Sequence, residues 1–228
     1  MQTVLLTRLN GAFDINLAEA FAREGYGVYA VRRGASNGGG ACSAHAPLNV
    51  TALPDDFQKA AETVKYEAGK IDIYVELSDE RDAADSFNVR GGIDEKIIRG
   101  LYEENVFRPM AALEAFLYLL DAGDGKRLCF ITSSDASINE SRSINGYGYA
   151  MGKAAMSNFY QMISNKLTPS GYTFRVYDPL AGEVGPESAA EGAFKYFTRR
   201  RGTENNDPLR DDENRLVFRD AYAREHAW

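Results

Sequence analysis

The sequence predicts an α/β protein: one doubly wound parallel sheet in a single domain. Three observations point there. Short apolar runs recur at residues 4–7, 27–31, 71–75, 127–132 and 172–177. Stretches with apolar residues at helical spacing lie between them, and strands that alternate with helices make a parallel sheet covered on both faces. No repeat and no linker divides the 228 residues, a length that buries one sizeable core.

Residues 4–7 read as the first strand. A helix follows over about 14–24 and stops at Gly25 and Gly27. The second strand is 27–31, which completes a strand–helix–strand unit. Residues 34–41, with Gly38, Gly39 and Gly40, read as a loop, and 48–50 as a short third strand. Pro54 sits where the first turn of the next helix is expected, and that helix runs to about Ala68. Residues 71–75 are the fourth strand and 77–92 a polar loop. A long helix is expected over 94–121, bent near Pro109. The fifth strand is 127–132, the next helix 147–167, the sixth strand 172–177, and a helix covers 187–200. An edge strand is expected at Leu216, Val217 and Phe218, inside an otherwise charged segment.

Composition narrows the function. Lys and Arg total 26 against 33 acids, a net charge of −7, which argues against binding a phosphate backbone. Cys42 and Cys129 make no disulfide framework, and with His45 and His226 they show no metal-ligand spacing. The opening residues are too short an apolar run for a signal peptide, and the richest apolar stretch, 110–120, is too short to cross a bilayer. The expectation is a cytoplasmic protein with no metal, nucleic acid or membrane partner.

In a doubly wound sheet the ligand site lies beyond the carboxyl ends of the strands. The residues placed there include Tyr149 and Lys153 on the helix after strand five. A spacing of four puts both on one helical face. A free phenol has a pKa near ~10, too high to exchange protons easily at neutral pH. A neighbouring ammonium favours the phenolate, which makes the pair a candidate acid/base. Ser133 and Ser134 stand at the end of strand five, where a hydroxyl can donate to a substrate oxygen. Asn105 lies inside the long helix, an unusual place that points to a local task such as holding a water or an open carbonyl.

With these residues in place, the chain resembles the short-chain dehydrogenase/reductase family across most of residues 3–185. The resemblance implies a Rossmann-like fold, with residues 1–125 as the nucleotide-binding half and 126–228 as the catalytic and substrate half. It implies a catalytic set of Asn105, Ser134, Tyr149 and Lys153. Tyr149 passes the proton, Ser134 polarises the carbonyl, Lys153 holds the nicotinamide ribose and tunes the tyrosine, and Asn105 anchors a relay water. The family's commonest serine spacing falls on Ala136 here, so Ser133 and Ser137 stay open as substitutes.

The cofactor end departs from the family. Its first turn reads Thr-Gly-x-x-x-Gly-x-Gly; here Arg8, Ala12 and Asp14 hold the glycine positions and Gly11 stands one place early. Those glycines let the diphosphate approach a helix N-terminus, whereas Asp14 caps that terminus itself and repels phosphate. Asn49, Val50 and Thr51 resemble the family's adenine-contacting Asp-Val-Thr. Arg32 and Arg33 end strand two, where a guanidinium pairs with a 2′-phosphate. After strand four, Glu76-Leu77-Ser78-Asp79 replaces Asn-Asn-Ala-Gly, and Pro179-Leu180 replaces Pro-Gly. The cofactor set implied is Thr7, Arg8, Gly11, Arg32, Arg33, Asn49, Val50 and Lys153, for NADP(H), with NAD(H) or no cofactor as alternatives.

Two functions follow. One is an NADP(H)-dependent oxidoreductase acting between a small alcohol and its ketone. The other is a reductase-fold binding or regulatory subunit that has lost its cofactor. A non-redox enzyme reusing the Tyr–Lys pair, an epimerase or lyase, is a third. The apolar helix around 110–120 is expected to need cover beyond the sheet, from a homodimer or homotetramer built through helices near 105–120 and 149–165. Arg199, Arg200 and Arg201 read as a solvated helix end.

Overall fold

The computed structural model describes residues 1–32, 49–86, 90, 92–199 and 215–228. Arg33, Gly38–Gly40, Cys42, His45, Arg200 and Arg201 lie outside these residues. Seven parallel strands and one antiparallel strand form a single sheet: β1 (Thr3–Leu6), β2 (Gly27–Val31), β3 (Val50–Leu53), β4 (Ile73–Glu76), β5 (Arg127–Ile131), β6 (Thr173–Asp178), β7 (Phe218–Asp220) and β8 (Glu225–His226). Their order is β3-β2-β1-β4-β5-β6-β7-β8, so the chain reverses its direction of travel between β1 and β4. In open sheets of this kind that reversal opens a crevice at the carboxyl ends of the strands.

Alternation along the strands builds two cores. Val4, Leu6, Val75 and Ile131 face α1 (Ala12–Arg23) and α6 (Pro186–Thr198). Leu5, Tyr74, Leu128 and Phe130 face α2 (Phe57–Glu67), α4 (Arg108–Asp121) and α5 (Tyr147–Leu167). Phe130 stacks on Tyr160 at 3.9 Å between ring centres, which locks α5 over β5.

The structure corrects several expected boundaries. The third strand is Val50–Leu53, later than 48–50. Pro54 therefore ends a strand, and α2 starts after Asp56, whose carboxylate accepts from Gln58 N and Lys59 N. The long helix is broken by a π turn at Glu103–Phe107, between α3 (Glu95–Tyr102) and α4; Pro109 lies just beyond, in the first turn of α4. The break is thus a widened turn centred on Asn105. Leu216 and Val217 precede β7, and β7 is not an edge, because the β7–β8 hairpin puts β8 outside it. Among the described residues no helix is long and apolar enough to cross a membrane, and no cluster of His, Cys, Asp or Glu is arranged to hold a metal.

Candidate active site

At the carboxyl ends of β4 and β5, four segments bring polar side chains together. Asn105 comes from the π turn, Asp79 and Arg81 from the loop after β4, Ser133 from the end of β5, and Tyr149 and Lys153 from α5. The start of α5 is pinned from outside itself. Both Asp85 carboxylate oxygens accept from it, at 3.0 Å from Gly148 N and 3.0 Å from Tyr149 N. Gly148 lets α3 pack close, since a Cβ there would stand 2.9 Å from Leu101 Cδ1 and 3.2 Å from Ile98 Cα.

Lys153 is buried, and its ammonium meets three acceptors: Ser78 O, Ile131 O at 3.3 Å and Asp79 Oδ1 at 3.3 Å. An ammonium has three hydrogens, so these contacts use all of them. The Tyr149 hydroxyl donates to the same Asp79 Oδ1 at 2.5 Å. The Arg81 guanidinium lies over the Tyr149 ring at 3.7 Å and pairs with Asp135 at 3.6 Å. The expected easing of Tyr149 ionisation is overturned. Burial first, then the Asp79 charge, pushes the phenol well above its ordinary value, against smaller opposing effects of Arg81 and Ser133. Burial likewise lowers Lys153, opposed by Asp79. Asp79 stays ionised: burial would raise it, but Lys153, the Tyr149 hydroxyl, Arg81 and Arg8 together hold it below the usual carboxylate range.

The serine facing this group is Ser133, whose hydroxyl acts to lower the pKa of the Tyr149 phenol and accepts from Asp135 N at 3.2 Å. Ser134 instead uses its backbone, donating N–H to Asp178 Oδ2 at 2.7 Å, and Ser137 Oγ accepts from Glu140 N. Asn105 pairs with the Glu80 backbone in both directions, each bond 2.8 Å, so it fastens the loop that carries Asp79 rather than an open water site.

The first turn is held by Asp14 at the third residue of α1. One of its oxygens accepts from Asn10 N at 3.0 Å, Gly11 N at 3.2 Å and Arg8 Nε at 3.0 Å. Space remains outside this turn, because a Cβ on Gly11 would meet nothing within 4 Å. Thr7 donates to Glu76 Oε1 and accepts from Leu77 N, tying β1 to β4. Glu76 is buried and takes further hydrogen bonds from Tyr74 and Ser78 N. A cavity of about 260 Å³ opens between α1 and α6, lined by Arg8, Asp14, Asp79, Phe13, Ile131 and Pro179 among others. Leu180, buried beside the lining residue Pro179 and standing where the family carries glycine, has a φ of 50°, and Asp178 Oδ1 holds its N–H at 2.7 Å.

Two of the expected cofactor residues fall elsewhere. Val50 opens β3, pairing with Val28, and Asn49 precedes it, so both sit at the amino end of that strand, away from the crevice. The reason is the later start of β3. Its carboxyl end leads to Asp55, which is ion-paired to Arg108. Arg32 is exposed just beyond the carboxyl end of β2, where it was expected.

Comparison with solved structures decides the fold. A carbonyl reductase from Pseudomonas aeruginosa, solved in complex with NADP, superposes with a TM-score of 0.73 at 19% identity, over 100% of both chains. The fold is that of the short-chain dehydrogenases and reductases. A Serratia marcescens short-chain dehydrogenase/reductase double mutant gives 0.67 at 16% identity, over 86% of this chain and 90% of that one. An uncharacterised oxidoreductase of Schizosaccharomyces pombe is 28% identical over 149 residues, 65% of this chain. The match spans 56% of that relative's length, a little over half. No protein-family model matches the chain. On the dehydrogenase/reductase fold the crevice beyond β4 and β5 holds Tyr149, Lys153, Ser133 and Asn105, while the first turn carries Asp14.

Proposed function

We propose that this chain is a nicotinamide-dependent oxidoreductase acting on a small carbonyl compound or its alcohol. The observation that carries it is the convergence of Asn105, Ser133, Tyr149 and Lys153, from separate segments, beside a cavity at the carboxyl ends of the strands. Support also comes from the similar proteins: a carbonyl reductase solved in complex with NADP, a short-chain dehydrogenase/reductase, and a curated relative described as an oxidoreductase.

The residues present fit such a cofactor at its nicotinamide end. The cavity of about 260 Å³ has apolar walls, and Lys153 and Tyr149 lie just behind Asp79. At the diphosphate end there is open space above Gly11, and Arg8 supplies a cation, while Asp14 is the one misfit. Lys153, Arg8, Thr7 and Gly11 would hold the group, with Arg32 facing a 2′-phosphate if the form is NADP(H). Bound there, a reduced nicotinamide supplies a hydride for the carbonyl carbon. The chain's part is to orient the substrate and give the oxygen its proton. Tyr149 carries that proton, Ser133 donates a second hydrogen bond to the oxygen, and Lys153 stabilises the phenolate that remains.

A second reading is favoured by Asp14. Its carboxylate already takes the N–H groups that a diphosphate would take. On that reading the chain is a reductase-fold binding or regulatory subunit without a dinucleotide. Titration with NADPH and NADH, followed by nucleotide fluorescence and melting temperature, separates the two. Saturable binding of either nucleotide, with Tyr149→Phe abolishing carbonyl reduction, is the expected result. Silence to both nucleotides at millimolar concentration leaves the second reading.

For assembly we propose a homodimer or homotetramer through α4 and α5. Phe107, Met110 and Tyr118 on one side, and Met151 and Met162 on the other, are exposed apolar side chains on those helices and the turn before α4.

A further inference from the structure

Asp79 sits between the acid/base pair and the cavity. Its Oδ1 accepts from the Tyr149 hydroxyl at 2.5 Å and stands 3.3 Å from Lys153 Nζ. Its side chain is 22% exposed, and it lines both the main cavity and the narrow cleft with Thr7, Ser78 and Glu104. Tyr149 and Lys153 are only 2% exposed. A molecule entering the cavity therefore meets Asp79 before it meets the acid/base pair. The loop that carries Asp79 is itself anchored next door, by the two hydrogen bonds between Asn105 and the Glu80 backbone.

We propose that Asp79 is a positioning residue: its carboxylate latches Tyr149 and Lys153 together in a resting arrangement, and must release both before ligand can use them. The inference rests on the oxidoreductase reading and adds a step to it. Lys153 has three hydrogens, and the latch takes the third. The phenol points its hydrogen at a carboxylate, not at a substrate oxygen. Release frees one ammonium hydrogen for a ligand hydroxyl and turns the phenol toward the cavity. The charges around the latch favour keeping Asp79 where it is. Arg81 lies over the Tyr149 ring, and Arg8 approaches from the β1 turn; the Asp178 carboxylate at the end of β6 opposes them, while Glu76 at the end of β4 acts on Lys153. Ser133 faces Tyr149 from the end of β5, so the phenol keeps one partner when Asp79 leaves.

The test compares the parent chain with Asp79→Asn and Asp79→Gly. Asparagine keeps the shape and one acceptor but removes the charge, and glycine removes the latch outright. Circular dichroism melting establishes that each variant is folded. Binding of NADPH and NADH is then read by nucleotide fluorescence. Tyr149 ionisation is read by carbon-13 NMR of ring-labelled tyrosine, with the resonance assigned through Tyr149→Phe. The expected result is binding tighter by about tenfold or more in both variants, with Tyr149 ionising at lower pH in Asp79→Asn than in the parent. Affinity that is unchanged or weaker in both variants overturns the latch while leaving the oxidoreductase reading intact if the parent binds. An unmoved Tyr149 titration overturns it as well, because the carboxylate would then not be what holds the phenol's hydrogen. Failure of all three proteins to bind either nucleotide overturns both the latch and the reading beneath it.

Discussion

The chemistry of the site turns on single atoms. Two adjacent serines end β5, yet they do different work. Ser133 faces Tyr149, and the backbone of Ser134 ties β5 to Asp178 at the end of β6. Ser133→Ala is therefore expected to lower kcat for carbonyl reduction by about 10²–10³, the usual cost of removing one donor from a developing oxyanion. Ser134→Ala keeps its backbone N–H and should change kcat little. Steady-state kinetics of the two variants side by side checks this, and equal losses would move the role away from Ser133. Leu180 is another residue-scale finding. A leucine at positive φ stores about 1–3 kcal/mol of strain, and the Asp178 hydrogen bond to its N–H is what holds it there.

At the scale of elements, α5 delivers Tyr149 and Lys153, and its start depends on Asp85. That carboxylate caps Gly148 N and Tyr149 N from the loop after β4, and Gly146 N donates to the Asp85 carbonyl. Removing a buried acceptor leaves those donors without a partner, at about 1–3 kcal/mol. Asp85→Ala should lower stability to urea by that amount. It should also speed amide exchange in the first turn of α5 ahead of its last turns. Uniform exchange along the helix would show that packing on β5 alone fixes α5. The π turn around Asn105 belongs to the same scale. A widened turn brings the amide to the Glu80 backbone, and a continuous helix bent at Pro109 would present that face differently.

For the whole molecule, the hairpin at 218–226 is joined to the loop before α5 by one imidazole. His226 Nδ1 is 2.6 Å from Glu140 and Nε2 is 2.9 Å from Asp220. Carboxylates only accept, so both ring nitrogens must carry hydrogen, and the ring is a cation. Burial alone would lower its pKa, but the hydrogen bonds to Asp220 and Glu140 prevail and raise it. Asp220 is also engaged by Arg224, and Asp178 lies within range of the His226 charge. A folded pKa above the unfolded value of about 6.5 gives stability that is complete below that pH. This contribution is lost as pH rises through the folded value. Melting temperature should fall with rising pH over that window, and His226→Gln should remove the fall. An identical slope in both proteins would place the effect elsewhere.

The sequence by itself determined the alternation of strands and helices, the order of the elements, the sheet class and the Tyr149–Lys153 pair. Those follow from periodicity and from a spacing of four along one helix, which are local properties. It also marked Asp14 and Asp79 as acids in a cofactor path. Only the tertiary structure decided that Asp79 closes on Tyr149 and Lys153, that Ser133 and not Ser134 faces the phenol, and that Asn49 and Val50 lie at the amino end of β3. Each of these depends on which atoms meet across distant segments and on where a strand begins within its register. Because β3 is so short, starting it two residues later turns Val50 from the carboxyl end of the strand into its amino end. The same burial that brings Lys153 to Tyr149 raises the phenol's pKa, first by desolvation and then through the carboxylate it brings between them.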